Sequence, residues 1–155
     1  MAASNDNPIP APNMRDWQHV HLARYLATDG EDGYWWQSPR AGVPGPVPTL
    51  ILTTTGRRSG TQYLNPLIFG EHEGRCVIVA SRGGAPAHPS WYVNLSAVPE
   101  VGVQVKARKF RARARTASGP ERATLWALMV KVYPSYAEYQ ERTEREIPVI
   151  VLDPL

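Results

Sequence analysis

Thr49-Leu-Ile-Leu-Thr-Thr-Thr55 and Gln62-Tyr-Leu-Asn-Pro-Leu-Ile-Phe69 are two strand-like stretches on either side of the turn Gly56-Arg-Arg-Ser-Gly60. Aliphatic and β-branched residues favour extended structure, and the glycines favour a reversal of the chain between the two stretches. A proline inside a strand confines that strand to a sheet edge or bends it, here at Pro66. These residues predict an antiparallel hairpin.

Short strand and helix patterns continue from this hairpin in both directions. Ser118-Gly-Pro-Glu121 has the spacing of a capping box, so we expect a helix from there to Val132. Because strands and helices alternate little, the order favours a barrel-like antiparallel sheet over a doubly wound one. The other predicted strands are Cys76–Ala80, Val101–Val105, Lys109–Arg115 and Ile147–Leu152, with a turn at Glu71–Arg75, and the other predicted helices are Met14–Leu26, Pro89–Leu95 and Ser135–Arg145.

The chain of 155 residues is long enough for one domain with a sizeable core and too short for two. We expect residues 1–13 to form a flexible tail and residues 14–155 a single domain that opens with a helix over 14–28. The apolar pattern of this helix is loose and fits three roles: packing on the domain, covering a site, or contacting a membrane surface. Residues 29–48 form a Gly- and Pro-rich loop around Tyr34-Trp-Trp36, and these aromatics favour a lid over disorder.

Charge and cysteine content set broad limits on the class of protein. A formal charge of +3 suits an anionic ligand, a nucleic acid or an acidic membrane surface equally well. Cys76 is the single cysteine and has no internal disulfide partner, which favours a reducing compartment. The sequence has no apolar stretch of membrane-spanning length and no signal-peptide pattern at its start. We expect a cytoplasmic protein, with membrane association through the N-terminal helix as an alternative.

Two segments have the composition of a ligand site. Thr53-Thr-Thr-Gly-Arg-Arg-Ser-Gly60 crowds hydroxyls and two guanidinium groups into a turn, a combination that suits phosphate oxygens. Ser81-Arg-Gly-Gly84 follows a strand, and its glycines permit close approach of the backbone to a flat ligand, with Trp91 nearby. A solvated turn and an ordinary glycine turn are the alternative interpretations.

Three tyrosines near the C-terminus form a third candidate feature. Tyr133, Tyr136 and Tyr139 recur at a spacing of three residues, which brings Tyr136 and Tyr139 to one helix face. Such side chains suit a partly wet pocket for a flat organic substrate, although a structural aromatic stripe explains them as well. The four histidines lack metal-ligand spacing, so no metal site is expected.

Four blocks of the sequence together resemble the deazaflavin (F420)-dependent nitroreductase family of split β-barrel oxidoreductases. They cover residues from about 49 to 153 in the family's order and spacing. The blocks are Leu50–Gly60 with Asn65-Pro-Leu67, Val79–Gly84 with His88–Tyr92 and Asn94-Leu95, Tyr133–Tyr139, and Arg145–Val149.

The resemblance implies an α+β, mainly β fold: a split β-barrel of antiparallel strands with flanking helices, like that of FMN-binding proteins. It implies the coenzyme F420, an 8-hydroxy-5-deazaflavin, with Arg57 and Arg58 on its phosphate. It also implies Ser81, Tyr136 and Tyr133 as catalytic residues. The implied substrate-side residues are Tyr133, Tyr136, Tyr139, Trp91 and Ile68, and the implied coenzyme-binding residues are Thr55, Arg57, Arg58, Asn65, Pro66, Ala80, Ser81, Arg82, Gly83, Gly84 and Trp91.

The expected reaction is hydride transfer from reduced F420 to an activated electrophile. The candidate substrates are a quinone, an enone or unsaturated lactone, and a nitroaromatic. Two rival functions share the fold: an FMN-dependent oxidoreductase and a non-catalytic F420-binding protein. The hypothesis of a nucleic-acid-binding module is supported only by the basic charge and by the Lys109/Arg111/Arg113/Arg115 stripe. A solvated sheet face explains this stripe better. We therefore expect no nucleic-acid partner.

Overall fold

A computed structural model describes residues 7–39, 43 and 45–155. The helices of this part are α1 (Asp16–Thr28), α2 (Ser90–Ala97), α3 (Gly119–Val132) and α4 (Ser135–Glu141), and a 3₁₀ turn covers Arg82–Gly84. None of the described helices has the length and apolar character needed to cross a bilayer. The strands are β1 (Ile9–Pro10), β2 (Trp35–Trp36), β3 (Val47–Thr55), β4 (Gln62–Ile68), β5 (Gly70–His72), β6 (Arg75–Val79), β7 (Glu100–Val105), β8 (Arg108–Thr116) and β9 (Val149–Pro154).

The strands form one sheet in the order β1-β4-β3-β7-β8-β9-β6-β5, with β2 added on β3. The predicted hairpin is its β3–β4 pair, which runs in register from Thr55 opposite Gln62 to Thr49 opposite Ile68. The sheet curls until β4 also contacts β6, which gives the expected mainly β barrel with flanking helices. On its side away from β3, β4 is paired with β1 only at Tyr63 and Leu64. Pro66 lies past this pairing and therefore at an edge of the sheet, as predicted.

Alternate residues of β3 point to opposite faces of the sheet and hold different parts of the molecule together. Leu50 and Leu52 belong to the barrel core, whereas Ile51 packs on the other face against Leu22 and Tyr25 of α1. The Tyr25 hydroxyl donates to the Thr49 carbonyl at 2.9 Å and accepts from the Lys106 amide at 2.8 Å. These contacts confirm that α1 packs on the domain. The membrane contact of this helix stays a prediction.

A second apolar cluster lies between the sheet and the C-terminal helices. Leu125 and Met129 of α3 pack there against Val77, Val149 and Val151 of β6 and β9. Tyr133 and Tyr136 belong to the same cluster. The burial of this helical pair on the sheet therefore fixes the two tyrosines relative to the end of β6, where Ser81 follows.

The structure departs from the sequence predictions at several places. Residues 9–11 were expected in a flexible tail, but Ile9–Pro10 pairs with β4 in parallel and the Ala11 amide donates to the Leu64 carbonyl at 3.0 Å. Residues 1–6 lie outside the described part, as do 40–42 and 44 of the predicted 29–48 loop. The turn that we expected over Glu71–Arg75 spans fewer residues, because Gly70–His72 forms a strand that pairs with β6.

The predicted capping box at α3 is wrong. Ser118 occupies the N-cap position but makes no capping hydrogen bond with its side chain. Glu121, the expected second half of the box, instead accepts two hydrogen bonds from Arg115, one of them at 3.0 Å from Nη2. A charged fork is a stronger partner for a carboxylate than a neutral backbone amide. The other predicted start signal, Pro120, does lie in the first turn of the helix.

Candidate active site

A cleft of about 900 Å³ opens between α1, the β3–β4 turn, α2 and the Ser81 loop, with the tyrosines of the C-terminal helices in its wall. This volume lies within the range of sites that enclose an organic cofactor or substrate. Most of the residues predicted for the site meet here. Those that line the cleft are Arg57, Arg58, Asn65, Pro66, Ile68, Ser81, Arg82, Gly83, Trp91, Tyr133, Tyr136 and Tyr139.

The β3–β4 turn gives one part of the cleft a concentrated positive charge. Arg57 is held by Asn94 of α2, whose buried Oδ1 accepts from the Arg57 amide at 3.2 Å and from its Nη1 at 2.8 Å. No carboxylate lies within ion-pairing distance of Arg57, Arg58 or Arg82 in the part of the chain that the structure describes. Three guanidinium groups that line one cleft without a counter-charge give it an electrostatic character that suits an anion.

The loop after β6 brings backbone and a hydroxyl to the same cleft. Ser81, Arg82 and Gly83 line it, and both Arg82 and Gly83 have positive φ, 45° and 64°. Trp91, 8% exposed, contributes an aromatic side chain from α2. Asn65 of β4 adds a buried Oδ1 that has no hydrogen-bond partner within the described chain. A buried, unpaired acceptor in a cleft is costly unless a ligand supplies the donor.

Three of the predicted coenzyme residues do not line the cleft. Thr55 lies at the end of β3, Ala80 is fully buried in the barrel core, and Gly84 is buried against α4. A Cβ at Gly84 would meet the Tyr139 carbonyl oxygen at 2.6 Å. Ala80 and Gly84 therefore fix the path of the loop, while Ser81, Arg82 and Gly83 form its surface toward the cleft.

The three tyrosines form one cluster, as their spacing predicted. The ring of Tyr133 lies 5.1 Å from that of Tyr136 and 6.3 Å from that of Tyr139. Burial, and secondarily the neighbouring tyrosines, raises the pKa of Tyr136 well above its ordinary value of 10.0. The Tyr136 hydroxyl thus stays protonated and is available as a hydrogen-bond donor.

The sequence analysis allowed the N-terminal helix to cover a site and expected a lid near Trp36, but it named no site residue in the part of the wall that comes from α1 and β2. Trp17, Gln18 and His21 line the cleft, and Trp17 stacks on Trp36 with 5.5 Å between ring centres. The ring of Trp36 in turn lies 6.2 Å from that of Tyr133. Trp36 falls in the loop for which we expected a lid, but its stacking on α1 has no signature in the local sequence. Asn94 belongs to one of the resemblance blocks but was given no role, because its partner Arg57 is 37 residues away.

Comparison with known proteins assigns the chain to a family. The family described as F420H(2)-dependent quinone reductase matches residues 17–154. The chain belongs to this family. An F420H(2)-dependent quinone reductase of Mycobacterium tuberculosis is 35% identical over 136 residues, which cover 86% of this chain and 87% of that protein.

Two solved structures are similar to this chain in sequence and fold. One, an F420H2-dependent reductase called FDR-A, is 44% identical with a TM-score of 0.64, and the match covers 68% of this chain and 93% of that one. The other, described as a domain-swapped dimer, is 39% identical with a TM-score of 0.67, and the match covers 89% and 98%. The resemblance seen in the sequence is thereby confirmed, together with the split-barrel fold, oxidoreductase activity and F420 as the coenzyme.

Proposed function

We propose that this enzyme transfers a hydride from reduced F420 to a quinone, and that both molecules bind in the one cleft described above. The observation that carries the proposal is that the tyrosine cluster lines the same cavity as Arg57, Arg58 and Arg82, none of which has a carboxylate partner among the described residues. The family's description as quinone reductases favours a quinone over the enone, lactone and nitroaromatic alternatives. The same description favours F420 over FMN, and a reductase over a non-catalytic binder.

The charged arm of the coenzyme is assigned to the β3–β4 turn. Arg57 and Arg58 supply guanidinium forks that match phosphate oxygens, and Asn94 orients the first of them at 2.8 Å. Because no carboxylate competes for these groups within the described chain, an anionic arm meets little repulsion there.

The flat ring of the coenzyme is assigned to the loop after β6. Gly83 leaves open space where a side chain would stand, since nothing lies within 4 Å of a Cβ built on it. Trp91 lines the same cleft, and the buried Asn65 Oδ1, which has no partner within the described chain, is suited to accept a hydrogen bond from a ring N–H. The residues present therefore fit a polar, tricyclic ring.

When bound, reduced F420 supplies a hydride from C5 of its ring, and it favours two-electron over one-electron chemistry. The protein holds the quinone against Tyr133, Tyr136 and Tyr139 and donates hydrogen bonds to the carbonyl oxygen that becomes negative. Tyr136 and Ser81 are the proposed donors, and Tyr133 is next. One hydride and one proton, taken from a hydroxyl or from water, convert the quinone to its hydroquinone.

A substrate panel tests this assignment. The purified enzyme is mixed with reduced F420 and a quinone, an enone or a nitroaromatic, and oxidation of the coenzyme is followed by absorbance. We expect rapid oxidation with the quinone and formation of one hydroquinone per coenzyme. Oxidation by the enone or nitroaromatic alone would overturn the choice of substrate, and no oxidation by any of them would overturn the catalytic proposal.

A further inference from the structure

Arg145, in the segment between α4 and β9, is directed at the loop that carries Ser81 and Arg82. Its Nε donates to the Ala85 carbonyl at 2.8 Å, its Nη2 to the Ser81 carbonyl at 2.7 Å, and its Nη1 to the Ala80 carbonyl at 3.2 Å. One planar guanidinium thus holds three backbone carbonyls of a single loop. Arg145 does not line the cleft.

The loop needs such an external hold because its backbone is strained. Arg82 has φ 45°, and the two following residues also have positive φ. For a residue with a side chain, this conformation costs free energy and persists only where neighbouring contacts impose it. The hydrogen bonds from Arg145 to the carbonyls on either side of this stretch provide that restraint.

His88 completes the arrangement. The Nη1 of Arg145 lies 2.9 Å from His88 Nδ1, and since arginine only donates, Nδ1 accepts and the imidazole is neutral. Burial beside Arg145 also lowers the pKa of His88. Arg145 is the charged group that faces the imidazole, and the ring of Tyr92 packs edge-on at 4.9 Å.

The backbone that carries Arg145 is anchored to the helix that bears the tyrosines. Gln140 of α4 donates to the Arg145 carbonyl at 2.8 Å and accepts from the Ile147 amide at 2.9 Å. Arg145 therefore links the two halves of the site: the loop assigned to the coenzyme and the tyrosine-bearing helix assigned to the substrate.

We propose that Arg145 is a positioning residue for the coenzyme. Its guanidinium, seated on neutral His88, fixes the carbonyls of Ala80, Ser81 and Ala85 and so holds Ser81 and Arg82 in the shape that the coenzyme requires. This inference rests on the coenzyme placement proposed above.

Two substitutions at Arg145 and one matched control test the role. Arg145→Met removes all the donors, Arg145→Lys keeps the charge without the planar fork, and Arg122→Met is the control. Arg122 also donates to a backbone carbonyl, that of Ile147 at 2.7 Å. Like Arg145, it does not line the cleft. The measurements are F420 affinity by tryptophan quenching, and the rate of tryptic cleavage after Arg82 without coenzyme.

We expect both Arg145 variants to bind F420 about tenfold more weakly or worse, since several charge-assisted hydrogen bonds are lost. Cleavage after Arg82 should accelerate in both, whereas Arg122→Met should leave affinity and cleavage rate unchanged even if it lowers Tm. Wild-type affinity and cleavage rate in the Arg145 variants would overturn the inference. Failure of the wild-type protein to bind F420 would instead overturn the coenzyme placement.

The pH dependence of F420 affinity in the wild-type protein provides a test that does not require an Arg145 variant to fold. Protonation of His88 would place an N–H against the guanidinium, so wild-type F420 affinity should fall as the pH drops below the ordinary histidine pKa of 6.5. His88→Gln retains an acceptor that does not titrate, and should lose this part of the acid decline while keeping the part due to the coenzyme itself. An identical acid decline in both proteins would contradict the role of the His88–Arg145 contact.

Discussion

Tyr136 is the residue whose surroundings best suit a direct role toward the substrate. Its side chain is only 4% exposed, lines the cleft and lies 5.1 Å from the ring of Tyr133. Because burial raises its pKa, the hydroxyl should donate throughout the neutral and mildly alkaline range.

Substitution of Tyr136 by Phe should lower kcat for quinone reduction by roughly tenfold or more, because a donor to the developing oxyanion is removed. The dissociation constant of F420 should be unchanged. Tyr25→Phe is the matched control, since Tyr25 is fully buried but its hydroxyl bonds to backbone outside the tyrosine cluster. That control should lower the free energy of unfolding by about 1–3 kcal/mol and leave kcat nearly intact. Loss of F420 binding in Tyr136→Phe would place this residue in the coenzyme half instead.

The 3₁₀ turn and α4 form one packed unit, and two adjacent glycines test it. Gly83 and Gly84 both have positive φ, but only Gly84 is pressed against another element, with a built Cβ 2.6 Å from the Tyr139 carbonyl oxygen. Gly83→Ala should therefore lower the free energy of unfolding by about 1–2 kcal/mol from backbone strain alone. Gly84→Ala should lower it by clearly more, as measured by denaturant unfolding. Equal losses in the two variants would mean that the turn is not packed on α4 as described.

The α1–β2 pair forms an aromatic wall on the proposed substrate side. Trp36 stacks on Trp17 and lines the cleft, whereas its neighbour Trp35 is 60% exposed and does not. Trp36→Ala should raise KM for the quinone by about 3- to 10-fold, the worth of an aromatic contact, without a change in F420 affinity. Trp35→Ala should leave KM near the wild-type value. The same KM change in both variants would remove the special role of Trp36.

The elements that the sequence predicted well are those set by local composition. The β3–β4 hairpin, the helix at Ser90–Ala97 and the break at Pro134 follow from periodicity, glycine and proline. The two-residue strands β1 and β2 were missed because each depends on a partner strand rather than on its own residues. The capping box failed for a related reason, since Arg115 reached Glu121 from a neighbouring strand.

At the level of the whole molecule, the site could be predicted where short motifs carry it. The turn at Arg57 and Arg58, the Ser81 loop and the three tyrosines meet in one cleft, as the family resemblance implied. Arg145 opens one of the blocks that carry the family resemblance, but the sequence assigned it no role, because its partners lie 57 to 65 residues away and are mostly backbone carbonyls. Contacts to backbone leave no pattern in the side chains of the partner segment.

The central claim, that this cleft holds F420 by its charged arm, is tested most directly by titration of the purified protein with F420. Tryptophan quenching is compared between the wild-type protein, an Arg57→Ala/Arg58→Ala variant, and an Arg111→Ala/Arg113→Ala variant. This last variant is the control, because it loses the same number of positive charges, but from the exposed face of β8. We predict tight binding by the wild-type and β8 variants, and a loss of about 2–4 kcal/mol of binding free energy in the Arg57/Arg58 variant. Equal affinity of all three proteins, or no binding by the wild type, would contradict the account.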